Sequence, residues 1–261
     1  MTDRYAPSGK FGVFTVIGRS LRLFFANFAR LFFLGFFPLL AFQLLGEFLI
    51  DEEQIAADLA AGRMADVFGL EYFVLLFVSI FLYVVVSATL VMASYDAAVG
   101  DRSALGDYFS HAVKNFLPLA GLSLVLVFFL AVGFMALILP GLIVLAIFIV
   151  FYQTVLIDGS GWRGLHASAA LTKGYRWPII GVVCLVYLAF LAIGVVSILI
   201  FSGGGLIVVL AEASPIIVAL LSVAWNACAY ALFSAFTTVI YLRLRELHGV
   251  GAGQDLSEIF R

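Results

Sequence analysis

Few side chains in this sequence could do chemistry, and the ionisable ones lie near the ends of long apolar stretches. They are Glu47, Asp96 and Asp158. A carboxylate inside a membrane marks function by default. All three can reach the membrane–water interface, however, so a helix-end role or pairing with Arg243 or Arg245 is favoured over a proton relay. No chain of carboxylates and histidines crosses the apolar stretches, which disfavours a pump or a proton-driven antiporter.

Uncharged polar residues form the other candidate site. Asn226, Tyr230, Ser234 and Thr237 follow a 4–4–3 spacing, which places them on one stripe of a helix. Such a stripe can line a cavity, or it can hydrogen-bond to a neighbouring helix through a residue such as Gln153. Bonds of that kind contribute about 1 kcal/mol each in lipid. We predict an intramembrane polar cluster of Gln153, Asn226, Tyr230 and Ser234, and favour a structural role for it.

Enzyme motifs are missing from the sequence. The three histidines, His111, His166 and His248, are far apart, and no zinc-protease, phosphate-loop or serine-hydrolase motif surrounds them. Cys184 and Cys228 lie inside apolar stretches without metal-ligand spacing, which is typical of packing residues. We therefore expect no enzyme activity, no metal, no cofactor and no nucleic-acid partner.

The elements that must position these residues are membrane helices. The 261 residues are 64% hydrophobic and 11% charged, whereas a soluble domain is about 25% charged. Several apolar runs reach the roughly 20 residues needed to cross a bilayer. The predicted spans are 31–50, 72–99, 116–139, 142–157, 179–201 and 215–242.

The basic residues orient these spans. Of the 14 Lys and Arg residues, only Arg63 falls on the opposite side from the others. Because cytoplasmic loops accumulate Lys and Arg, we predict that both termini are cytoplasmic. A single long helix over 124–157 is the main alternative. It is rejected because it would strand Arg163, Lys173 and Arg176 on the outside.

A short amphipathic segment precedes each pair of spans, at 11–30, 103–115 and 164–176. Aligning Asn27, Asn115 and Arg176 brings the three junctions into register. Apolar residues at 3–4 residue spacing with basic neighbours are typical of helices that lie in the headgroup plane. The alternative is that these segments are cytoplasmic extensions of the spans that pack on each other. The predicted headgroup-binding residues are Arg19, Arg22, Arg30, Lys114, Lys173 and Arg176.

These elements predict one membrane domain over 1–261, built from units 11–99, 103–157 and 164–242 with a cytoplasmic tail at 243–261. The connections on the outer side differ between units. The first is an acidic loop over 51–71, and the second is a turn at Leu139-Pro140-Gly141, where Pro and Gly favour a break. The third includes 206–210, which is apolar enough to dip back into the membrane.

Several short sequence elements point to a known family. They are Leu139-Pro140-Gly141, Asp158-Gly159, the run 169–174 followed by Trp177, the endings YLRLRE at 241–246 and DLSEIF at 255–260, and the opening FTVIGRSLRLFFANFARLF. With these elements the chain resembles the membrane domain found attached to some bacterial glycerophosphodiester phosphodiesterases, and the related YciC-like membrane proteins. Ala169 departs from the pattern, where Ser or a bulkier residue is expected.

The resemblance implies three units of interfacial helix plus hairpin, without a defined biochemical role. The phosphodiesterase activity of that family belongs to a separate soluble barrel. About 19 residues follow the last predicted span, too few for such a barrel by the size of ordinary domains, so that activity is not expected here.

The sequence thus predicts an all-α, six-span bacterial inner-membrane protein. The first hypothesis is a non-catalytic protein that engages anionic lipid headgroups, in envelope or lipid handling or as a scaffold or accessory subunit. Its partners would be lipids and possible membrane-protein or identical subunits. The alternative is a transporter or channel for a small or lipidic substrate, through a cavity lined by Gln153, Asn226 and Tyr230.

Overall fold

The structure is a computed structural model that describes residues 11–49, 61–62, 70–101, 103–203 and 214–249. Throughout this described part the regular structure is helical. The α-helices are α1 (Val13–Ala26), α2 (Phe28–Leu49), α3 (Leu70–Val99), α4 (Leu105–Lys114), α5 (Phe116–Ala136), α6 (Ile138–Phe148), α7 (Phe151–Leu156), α8 (Gly164–Leu171), α9 (Arg176–Gly203) and α10 (Pro215–Leu247). A 3-10 turn, Gly161–Arg163, precedes α8.

Six stretches of helix in the described residues are long and apolar enough to cross a membrane, as the sequence predicts. They are Phe28–Gly46, Tyr72–Val99, Phe116–Ala136, Ile138–Leu156, Arg176–Val195 and Ile216–Leu247. The described part of the chain is therefore all-helical, and the chain is of the multi-pass membrane class.

The second hairpin turns earlier than the sequence predicts. Its one-residue connection is Leu137, which is extended (φ −174°, ψ 161°), and not Leu139-Pro140-Gly141. Pro140 instead lies in the first turn of α6, where a missing N–H leaves no hydrogen bond unmade. Gly141 allows α5 to approach closely, because a Cβ at this position would overlap the ring of Phe134.

The fourth span is interrupted, although the sequence predicts one continuous helix over 142–157. Helix α6 ends at Phe148, and α7 begins at Phe151. Near the interruption, the Ile147 carbonyl accepts hydrogen bonds from Ser168 Oγ (2.9 Å) and Thr172 Oγ1 (3.1 Å). The segment around α8 thus packs beside the interruption and supplies hydroxyls to the backbone there.

The spans form two packed groups joined at one end. Helices α2, α3 and α10 pack together, and α5 and α9 each pack on α6. The short helices α1 and α7 contact both groups. In α10, every residue over 234–241 is buried, whereas none over 216–222 is. We call the tightly packed end, where α3, α7 and α10 finish, the cationic end.

The three junctions between short helix and span share one register. The backbone N–H groups of Leu31, Leu119 and Ile179 each donate at 3.1 Å to the carbonyl four residues earlier, at Asn27, Asn115 and Tyr175. At every junction the residues seven and three positions before this carbonyl residue, and four positions after it, are buried. They are Ser20, Tyr108 and Ser168 at the first position, Phe24, Ala112 and Thr172 at the second, and Leu31, Leu119 and Ile179 at the third. Tyr175 therefore matches Asn27 and Asn115, one residue before the Arg176 of the sequence alignment.

Three sequence predictions lie outside the described residues. These are the acidic loop 51–71, apart from its residues 61–62 and the start of α3, the apolar stretch 206–210, and the tail beyond Gly249. The side chain of Glu47 is likewise outside the described part of the chain.

A glycine substitution tests the docking of α8. In Gly164→Ala, the new methyl group would overlap Cγ2 of Val155, so we expect a loss of about 1–3 kcal/mol of stability. The matched control is Gly106→Ala in α4, where a Cβ meets nothing within 4 Å and helix propensity favours Ala. Thermal unfolding in detergent measures both. Equal melting temperatures for the two variants would contradict this docking.

Candidate functional site

The first polar cluster at the cationic end joins the fourth and sixth spans. Asp158 follows α7, while Tyr241 and Arg245 lie in the last turns of α10. Tyr241 donates its hydroxyl proton to Asp158 Oδ1 at 2.6 Å, and Arg245 donates to both the same carboxylate oxygen (3.1 Å) and the Tyr241 oxygen (2.8 Å). The side chains of Asp158 and Arg245 are only 5% and 4% exposed, so each charge is neutralised by the other in a place that water does not reach.

A second cluster joins the first span, the second span and α4. Tyr108 donates to Asp96 Oδ2 at 2.7 Å, and Arg30 donates to the Tyr108 oxygen at 2.6 Å. Ser103 completes the cluster: its N–H donates to Asp96 (3.2 Å), and its carbonyl accepts from Arg30 (3.2 Å). Burial raises the pKa of Tyr108, and the hydrogen bond to Asp96 raises it further, so the phenol stays a proton donor.

The two clusters have the same chemistry. In each, an arginine donates to a tyrosine oxygen, and the tyrosine donates to an aspartate. In each, the guanidinium also lies over the tyrosine ring, at 5.4 Å for Arg30 and 5.6 Å for Arg245. Such networks hold charges and orient helices. Neither contains an activated nucleophile, and no group of three metal-ligating side chains occurs in the described residues.

The sequence predicts part of this arrangement. The expected pairing of Asp158 with a C-terminal arginine is confirmed for Arg245, while Arg243 pairs with Glu246 at 2.7 Å. Asp96 instead belongs to the cluster with Tyr108. Sequence reasoning missed this tyrosine, which lies four residues before Ala112 and shares with it the buried face of α4.

The predicted intramembrane cluster is divided between two places. Gln153 and Ser234 are buried near the cationic end, where Gln153 bonds to Thr237 (2.7 Å) and Ser234 bonds to Ser94 (2.9 Å). With the Gln153 amide turned so that its oxygen accepts from Thr237, its nitrogen also reaches the Val150 carbonyl at 3.2 Å.

The other two members lie further along α10. Asn226 is exposed, and its amide donates to the Ser222 carbonyl of its own helix at 2.9 Å. Tyr230 packs edge-on against Tyr83, with 5.6 Å between the ring centroids. Gln153 and Ser234 therefore act as hydrogen-bonding groups between helices, while Asn226 and Tyr230 form a separate surface.

The six predicted headgroup residues also divide into two sets. Arg22, Lys114 and Lys173 are exposed. Arg30 is half-buried in the second cluster, Arg19 lies 3.9 Å from Glu246, and Arg176 is half-buried. The three exposed cations are consequently the ones best placed to meet a lipid phosphate.

An open groove lies beside Arg30, between the α1–α2 junction and the start of α4. Its volume is about 600 Å³, and its lining residues are Ala26, Asn27, Ala29, Arg30, Ser103, Ala104 and Leu105. Arg30 is the charged side chain of this lining. The groove thus places one cation beside small, largely uncharged surfaces at the cationic end.

No protein-family model, curated protein or solved structure matches the chain.

The buried ion pair makes a testable contribution to stability. Asp158→Asn removes the charge that compensates Arg245, so we expect a loss of about 3 kcal/mol. The same chemical change at the exposed Asp107 should cost about 0.5 kcal/mol or less. Thermal unfolding monitored through the reactivity of Cys184 and Cys228 measures both. A loss for Asp158→Asn no larger than for Asp107→Asn would contradict a structural role for the pair.

Proposed function

We propose that this chain is a non-catalytic bacterial inner-membrane protein that binds anionic lipid at the cytoplasmic surface. It would act in lipid or envelope handling, or as a scaffold or accessory subunit of a membrane complex. The observation that carries this proposal is the arrangement of side chains around α1 and α4.

Helix α4 has three distinct faces. Tyr108 and Ala112 are fully buried against the bundle. An apolar stripe is exposed beside them, and polar residues are exposed beyond it. The stripe is Leu105 (60% exposed), Phe109 (54%) and Val113 (40%), and the polar residues are Asp107, Ser110, His111 and Lys114. This is the pattern expected of a helix that lies in the headgroup plane with protein on one side, acyl chains below and water above.

Helix α1 has the same three faces in the same rotational order. Val16, Ser20 and Phe24 are buried. Phe14 and Phe25 are exposed to 80% and 69% on the adjacent face. Thr15 and Arg22 are exposed on the third. At about 100° per residue, these faces follow each other in the same direction as in α4, which supports placing both helices on one membrane surface.

The shared junction register supports three repeated units of short helix plus hairpin. The third unit differs in its contact with lipid, because α8 packs on α6 and α7 and carries no exposed apolar stripe. Trp162 and Trp177 flank it instead and are 60% and 68% exposed. Tryptophan is enriched at membrane–water interfaces, so these two rings supply the interfacial contact of the third unit.

The distribution of charge supports a cytoplasmic location for the cationic end. The described Lys and Arg side chains lie in the short helices, in their connections or at the span ends that meet them. Cytoplasmic segments accumulate these residues, and each basic residue near an anionic surface contributes about 1 kcal/mol of attraction. The groove beside Arg30 offers one recess for a headgroup.

One observation favours the alternative of a transporter. The interruption between α6 and α7 resembles the discontinuous helices that build substrate sites in transporters. The Ile147 carbonyl beside it, however, already accepts from Ser168 and Thr172. Since these hydroxyls occupy a group that a substrate or ion would use, the lipid-engaging function remains the stronger proposal.

Exchange of the three exposed cations among the predicted headgroup residues tests the proposed function. In the full-length protein released from its membrane in mild detergent, replacing Arg22, Lys114 and Lys173 together by Gln should lower retained anionic lipid about tenfold or more, given about 1 kcal/mol per cation. Native mass spectrometry measures the retained lipid. Zwitterionic lipid should be unaffected.

The matched control keeps the charges and changes only the side-chain shape: Arg22→Lys, Lys114→Arg and Lys173→Arg. It should retain anionic lipid as the unmodified chain does. Unchanged retention in the Gln variant, or an equal loss of zwitterionic lipid, would contradict headgroup binding.

A further inference from the structure

Asn226 places an amide deep within the sixth span. It lies 11 residues after Pro215, where α10 begins, and therefore about 16 Å along the helix axis at 1.5 Å per residue. The hydrocarbon core of a bilayer is about 30 Å thick. The amide is thus close to the bilayer midplane, where polar groups are costly and mark function by default.

The hydrogen-bonding capacity of this amide is only partly used. One N–H donates to the Ser222 carbonyl at 2.9 Å, while the amide oxygen accepts no bond from the described residues and the side chain is exposed. An amide oxygen left unsatisfied in hydrocarbon is costly, so a polar group from outside the described residues that reached it would be stabilised there.

Aromatic side chains flank Asn226 on two sides. Toward α3, Tyr230 and the 48% exposed Tyr83 meet edge to face at 5.6 Å. Toward α9, the 46% exposed Trp225 meets Phe190 edge to face at 6.2 Å. Asn226 and these two ring pairs define a surface that we call the aromatic groove.

The charge of its surroundings limits what this groove can bind. Residues 72–95 of α3, 177–203 of α9 and 216–242 of α10 include no Asp, Glu, His, Lys or Arg. An ionised group at this depth would have no counter-charge from these helices, and its desolvation would oppose binding. The groove therefore suits an uncharged group that donates and accepts hydrogen bonds.

The packing of α10 favours a lipid over a second copy of the chain. Close helix pairing in membranes uses small residues, and the small row of α10, Ala227, Ala231 and Ala235, is already fully buried inside the protein. The side chains left exposed around Asn226 include the small Ser222, but the others are bulky: Trp225 at 46%, Phe233 at 51% and, on α3, Tyr83 at 48%. Such a surface matches acyl chains better than a closely packed helix.

We propose that the aromatic groove binds a membrane lipid whose polar part is uncharged, such as a diacylglycerol, with Asn226 hydrogen-bonding its hydroxyl or ester groups. Tyr83, Tyr230 and Trp225 would pack against the glycerol backbone and the acyl chains. This neutral site rests on the proposed lipid-engaging function for its membrane setting, but it is separate from the cations that bind headgroups.

Photo-crosslinking of the full-length chain in lipid nanodiscs tests the groove. The probe is a diacylglycerol with a diazirine in one acyl chain, and the matched probe is a phosphatidic acid with the same chains. We expect the diacylglycerol to label peptides of α3 and α10. Asn226→Leu should reduce this labelling at least fivefold, whereas Asn226→Gln, which keeps an amide, should largely preserve it.

Three results would overturn the proposed site. The first is wild-type labelling in an Asn226→Leu variant whose melting temperature is unchanged. The second is equal labelling of the groove by phosphatidic acid. The third is a disulfide between two chains through Asn226→Cys, without groove labelling, which would assign this face to a second copy. Lipid retention by Arg22, Lys114 and Lys173 is measured separately, so failure at one site is distinguishable from failure at the other.

Discussion

The rest of the structure depends on the inability of hydrocarbon to solvate charged groups and free backbone polar groups. The described cations collect at one end of the bundle together with the carboxylates that pair with them, and the central parts of the spans carry no ionised side chain. At that end, two Asp–Tyr–Arg clusters with matching donor order tie spans together. Because hydrocarbon cannot solvate charges, the charged side chains gather at the cationic end, and their hydrogen bonds there hold the spans tightly together.

The same constraint explains how the irregular backbone is tolerated. The fourth span is interrupted near the cationic end, and hydroxyls of Ser168 and Thr172 bond to a carbonyl beside the interruption. The short helices therefore have two roles. They position polar groups for the spans, and α1 and α4 also expose apolar stripes, on which the proposed contact with the membrane surface rests. Asn226 stands apart, since its amide lies far from this polar layer.

The sequence predicts the spans well because their hydrophobic length is a property of each segment alone. It also predicts that Asp158 pairs with Arg243 or Arg245, since a carboxylate at a span end has few partners, and the structure selects Arg245. The sequence-based prediction fails where contacts with neighbouring helices determine the structure. Pro140 suggests a turn by itself, but it is compatible with the first turn of a helix, so the turn moves to Leu137. Helical spacing places Asn226 and Ser234 on one stripe, yet α3 and α7 cover only the part near the cationic end.

Cysteine accessibility tests the threading of the chain most directly. In a Cys184→Ala, Cys228→Ala background, single cysteines replace the exposed residues Ala61, Ser110 and His166, and an impermeant maleimide is added to right-side-out or inverted membrane vesicles. We predict that positions 110 and 166 react only in inverted vesicles and that position 61 reacts only in right-side-out vesicles. Reaction of 110 and 166 from opposite sides would contradict the hairpin at Leu137 and, with it, the single cationic end.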